Sequence, residues 1–136
     1  MTKRKPPAPS VDLALVQRIA DAAWSRKARD IVALDVRSSV FYADAMLICS
    51  GANDRHVRAI ADAVAEAAVE AGLPRPLGEG RTHGRWILLD VGSVTVHVFH
   101  ELLRELYELE RLWGDAPRLT LELREDPGAA EGRDRE

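Results

Sequence analysis

The chain holds a single cysteine, so it cannot form an internal disulfide and has too few thiolates for a cysteine-based metal site. Cys49 lies in the apolar run "AMLICS" and reads as a small buried hydrophobe. No apolar stretch approaches the roughly 20 residues that cross a bilayer as a helix. Basic charge is not in excess either: net charge is −3 and the pI about 5.8. That balance argues against a broad basic surface for nucleic acid and leaves a protein partner, or at most a minor local contact with RNA. The first ten residues, "MTKRKPPAPS", lack the apolar core of a secretory signal, and the expected location is the cytoplasm.

What is present suits one soluble α/β domain. Of the 136 residues, 46% are hydrophobic and 30% charged, enough for a single core closed without metal or disulfide. The expected layout is a flexible, basic, Pro-rich arm over 1–10, a folded domain over 11–123 and a mobile polar tail over 124–136. Ser10 is placed to cap a first helix with Asp12 in its first turn, and Leu15, Val16, Ile19, Ala20, Ala23 and Trp24 recur on one face. "DIVALDV" and "AMLICS" read as buried strands. A second helix follows Asn53, with Val57, Ile60, Ala61, Val64, Ala68 and Ala71 along its buried stripe and Gly72-Pro74 at its end. Asp54, Arg58 and Asp62 fall at four-residue spacing on its outer face as weak ion pairs. "ELLRELYELERLW" predicts a third helix with Leu102, Leu106, Leu109 and Trp113 central and Leu103, Tyr107 and Glu110 on its flank. "RLTLEL" predicts a short edge strand.

Between the second and third helices stands "HGRWILLDVGSVTVHVFH". Gly92-Ser93 suits a two-residue type II′ turn, which fixes the register of the flanking strands. Val91 then faces Val94, Leu89 faces Val96 and Ile87 faces Val98, giving one aliphatic wall. Asp90 faces Thr95, Leu88 faces His97 and Trp86 faces Phe99 on the other. Helices gathered on the aliphatic side would leave the second wall partly open. A hairpin needs antiparallel pairing, so the sheet must be mixed and the architecture an α-β sandwich.

The sequence offers no catalytic constellation. His97 and His100 lack neighbouring ligands at metal spacing, and "GEGRTHG" lacks the Lys-Ser/Thr pair of a phosphate loop. "GANDRHV" at a helix start reads as a capped turn ahead of an anion site. Acidic pairs two apart that a nucleotidyl transferase would need on a strand fall instead in the tail, Asp134 with Glu136, or on a helix, Glu108 with Glu110. No catalytic residue, metal or cofactor is expected.

"DVRSSVFYADAMLICSGANDRHVRAIAD", the pair Glu79-Gly80, "WILLDVGSVTVHVF" and "LYELERLW" together resemble the ribosomal silencing factor family, also called RsfS or Iojap-like proteins. The resemblance runs from about Lys27 to Trp113; the segments before Val11 and after Ala116 carry no motif of it. It implies a fold similar to a nucleotidyltransferase without catalytic residues, often as a homodimer. It also implies binding to the large ribosomal subunit through ribosomal protein L-fourteen, which blocks joining of the small subunit and represses translation. Trp86, Leu88, Asp90, His97, Tyr107 and Glu79 are the candidate contacts on this reading. All but Leu88 keep a structural alternative. Trp86 covers Phe99, Asp90 caps the turn, His97 bonds within the sheet, Tyr107 borders the core, and Glu79 shapes the loop beside Trp86. The competing functions are a degenerate nucleotidyltransferase-like enzyme and an RNA-binding module of ribosome assembly.

Overall fold

The computed structural model describes residues 11–38, 40, 42–107 and 116–123. Helix α1 (Leu13–Ser25) is followed by strands β1 (Arg29–Asp35) and β2 (Ala45–Gly51), helix α2 (Asp54–Glu70), strands β3 (Trp86–Val91) and β4 (Val94–His100), helix α3 (Glu101–Tyr107) and a two-residue strand β5 (Arg118–Leu119). The expected arm and tail, and residues 108–115 of the expected third helix, lie outside the described residues.

The strands form one mixed sheet in the order β3-β4-β2-β1-β5, parallel only between β2 and β4. β2 sits at the centre and every one of its residues is buried, which is why its sequence is almost uninterruptedly apolar. Helices α1 and α2 pack on one face through Val16, Ile19, Ala23, Ile60 and Val64, against Leu47, Val96 and Val98 of the sheet. A smaller cluster on the other face joins Leu34, Val36, Met46, Ile48 and Phe99 with Leu103 of α3.

Local chemistry sets the helix ends. Asp12 itself caps α1, its Oδ1 accepting from the Leu15 amide at 3.1 Å, so the helix begins later than a Ser10 cap would place it. Its other end closes with the Ala28 amide bonded to the Ala23 carbonyl and Lys27 in the left-handed region at φ 61°. In α2, Asn53 Oδ1 accepts from the His56 amide at 2.8 Å, while Gly72 at φ 85° lets the Leu73 amide reach the Ala68 carbonyl. The turn "GANDRHV" is therefore a cap: His56 Nδ1 accepts from the Ala52 amide, and its Nε2 bonds the Arg26 carbonyl.

Two further expectations are corrected. Leu102, placed by periodicity on the buried stripe of α3, is 66% exposed, and Leu103 and Arg104 face inward. The cause is Arg104, whose Nη1 donates to the Asp30 carbonyl at 2.7 Å and to Ser50 Oγ at 2.9 Å and so fixes the roll of the helix. The bulge between Arg29 and Val32, with Asp30 at φ 50°, turns that carbonyl toward it. The edge strand expected over Arg118 to Leu123 pairs with β1 only at Arg118 and Leu119. Further along, the Gln17 amide takes over, donating to the Glu122 carbonyl and accepting from its amide.

Candidate partner-binding surface

The hairpin forms in the expected register, from Val91 opposite Val94 to Trp86 opposite Phe99. Gly92 has φ 58° and Ser93 keeps a negative φ, as a type II′ turn requires. Pleat alternation therefore buries Ile87, Leu89 and Val91 under α1 and α2 and turns Trp86, Leu88 and Asp90 to the opposite side. That second wall is closed over β4, where Thr95, His97 and Phe99 are buried, and open along β3.

Trp86 is the most prominent group on the open strip. It is 44% exposed. Its ring lies 4.9 Å from that of Phe99 and 6.0 Å from that of His97, centroid to centroid, and the His97 and Phe99 rings stack with 14° between their planes. The indole Nε1–H donates to His97 Nδ1 at 3.2 Å, which fixes the direction in which the outer edge of the ring points. The two readings of Trp86 thus coexist: one face covers Phe99 while the remainder meets solvent. His97 stands behind Trp86, only 5% exposed, and burial pushes its pKa down to about 4. A neutral imidazole is the state that can accept the indole hydrogen.

Asp90 is exposed, and its carboxylate makes no hydrogen bond or ion pair among the described residues, the turn amides included. Leu88, half-buried, lies between it and Trp86. Glu79 pairs through its backbone with Leu88, amide to carbonyl in both directions at 2.9 Å, and this covers the outer edge of β3 at its middle. Its side chain is exposed. The neighbouring Gly80, at φ 92°, has no room for a side chain, since a Cβ there would fall 2.0 Å from the Trp86 carbonyl oxygen. Tyr107 ends the described part of α3, and its side chain lies outside the described residues.

The loop that carries Glu79 and Gly80 is held by groups read from sequence as ion pairs along α2. Arg58 Nε and Nη2 donate to the Arg81 and Thr82 carbonyls at 3.0 and 2.8 Å, and Asp62 pairs with Arg81 instead of Arg58. Helical spacing alone could not reveal partners 19 to 24 residues away. Arg81 in turn holds the Asp62 carboxyl below its ordinary range. Elsewhere, burial raises the Cys49 thiol to about 12, far from the thiolate a nucleophile needs. Among the described residues no three His, Cys, Asp or Glu side chains are grouped to hold a metal ion.

Comparison with known proteins connects this hairpin and its supporting loop to one group. The family model described as "Ribosomal silencing factor during starvation" matches residues 9–136. The chain belongs to the ribosomal silencing factor family. The match extends past the motif-bearing stretch to include the C-terminal segment, in which the sequence showed no family motif. Ribosomal silencing factors of Bacillus subtilis and Halalkalibacterium halodurans are 44% and 43% identical over 108 residues, covering 79% of this chain and 92% of each relative. A crystal structure of a Bacillus halodurans protein superposes with a TM-score of 0.71 at 37% identity, covering 81% of this chain and all of that one. The mixed sheet flanked by helices is thus the silencing factor architecture, with the Trp86 hairpin at its edge. No helix among the described residues is long and apolar enough to cross a membrane.

Proposed function

We propose that this chain silences translation in the cytoplasm without catalysing a reaction. It binds the large ribosomal subunit through ribosomal protein L-fourteen and occupies the surface that the small subunit must reach. Family membership supports the ribosomal setting. The observation that carries the surface is Trp86, 44% exposed yet held on its inner side by Phe99 and His97, with the Asp90 carboxylate, unpaired among the described residues, further along the same strand. A prearranged aromatic anchor loses little conformational freedom on docking, and tryptophans of this kind dominate interface energies. Asp90 would accept from a basic side chain of the partner, and such complementarity speeds encounter and rejects wrong surfaces. Leu88, Glu79 and Tyr107 complete the contact on this proposal, with His97 acting through the ring it orients. An interface of about 800 Å² per partner suffices.

The test is sedimentation of purified subunits with the protein in excess. Subunits that fail to join with the wild-type chain, and join freely with Trp86→Ala, are the expected outcome. Trp86→Ala should also weaken binding to the large subunit by more than tenfold, about 1.4 kcal/mol. Normal joining in the presence of saturating wild-type protein refutes the proposal.

A further inference from the structure

The topology gathers the start of β1, the ends of β2 and β4 and the start of β3 on one rim of the sheet, since β2 and β4 run parallel and their outer neighbours antiparallel. The sequence puts cations at three of these four points, all but the end of β4. Arg26 and Lys27 precede β1, Arg55 and Arg58 lie in the first turns of α2 after β2, and Arg85 precedes β3. Their backbones are tied together: His56 Nε2 bonds the Arg26 carbonyl, and the His100 amide at the end of β4 donates to the Arg85 carbonyl at 2.7 Å. Arg26, Lys27, Arg55 and Arg85 are exposed and form no ion pair among the described residues, while Arg58 spends its donors on uncharged carbonyls. Of the carboxylates on the same rim, Glu101 is matched by Arg29, and Asp62, further along α2, by Arg81; Asp30 and Asp54 remain. The rim is therefore basic although the chain as a whole carries −3.

We infer that this rim is a docking surface for the phosphodiester backbone of RNA. Four adjacent strands at about 4.8 Å spacing spread the cations over about 14 Å, a row and not a point. A nucleic-acid backbone presents repeated charges along such a row, and arginine, the prevailing cation here, meets phosphate with a two-pronged fork. An open cleft of about 600 Å³ at the rim is lined by Asn53, Asp54, Arg55, Arg58 and His100. That lining has no apolar pocket of the kind peptide recognition uses and no Phe, Tyr or Trp on which a base could stack, the His100 imidazole being its one ring. Binding therefore follows backbone charge and not sequence. The inference does not depend on the Trp86 wall, because naked RNA tests it.

Fluorescence anisotropy of a short labelled RNA hairpin, titrated with the full chain at several salt concentrations, decides it. The double variant Arg55→Glu/Arg85→Glu should raise the dissociation constant at least tenfold and flatten the dependence of log affinity on log salt by about 1.4 to 1.8, the share of two phosphate contacts. Arg18→Glu/Arg118→Glu makes the same charge change at exposed positions of α1 and β5 and should leave affinity within twofold. Circular dichroism melts confirm that both variants fold. Equal losses in the two variants, no salt-dependent binding by the wild-type chain, or tighter binding of labelled polyglutamate than of RNA would each overturn the inference.

Discussion

Acid should weaken the fold through His97 before it affects Asp35 or Asp62. In the folded chain the imidazole is buried and its pKa lies at about 4, against an ordinary value of 6.5. Between those values the unfolded chain binds a proton that the folded chain does not, so stability falls as the pH drops below 6.5 and stops falling through this residue near 4. Each pH unit is worth about 1.36 kcal/mol, so the whole interval costs about 3 kcal/mol. Protonation would also end the acceptance of the Trp86 indole hydrogen by Nδ1. Asp35 and Asp62, held below the ordinary 3.8 by Arg37 and Arg81, lose their contributions only at lower pH and leave the window clear. Urea unfolding of the wild type and His97→Asn at intervals from pH 7.5 to 4 isolates the effect, since asparagine keeps an acceptor and cannot titrate. The stability difference between them should shrink by about 3 kcal/mol across the interval. Parallel curves, or an NMR titration of His97 near 6.5 in the folded protein, would refute the reasoning.

Two further outcomes concern the backbone. Lys27→Gly should stabilise the chain by about 1 kcal/mol in urea unfolding, because Lys27 occupies the left-handed position that closes α1 at φ 61°. Gly80→Ala should cost 2 kcal/mol or more, given the 2.0 Å approach to the Trp86 carbonyl and φ 92°, and should shift the Trp86 fluorescence as the loop moves off β3.

The hairpin was the most legible part of the sequence, because a two-residue turn and strict alternation leave one register open to "WILLDVGSVTVHVF". The central strand β2 and the stripes of α1 and α2 were legible for the same reason: their periods are short and local. What escaped was long-range. Arg104 stood out in no helical stripe, and only the bulge at Asp30 and the Ser50 hydroxyl explain its burial. The loop anchors Arg58 and Asp62 looked like partners of each other because the carbonyls and the arginine they meet lie beyond a Pro/Gly-rich loop. Of the candidate surface, the sorting of Trp86, Leu88 and Asp90 from the aliphatic wall followed from alternation. The depth of His97 did not, since alternation sorts faces but says nothing about what covers them. Net charge hid the basic rim, because a sum carries no positions.

The margins of the sheet bear on how the molecule meets others. β5 shields part of one border and the Glu79 bridge interrupts the other at Leu88, so among the described residues neither offers a long free row of amides and carbonyls onto which a foreign strand could zip. Such borders favour recruitment through side chains standing off the sheet, a mode read by shape and charge that does not propagate from copy to copy into fibres.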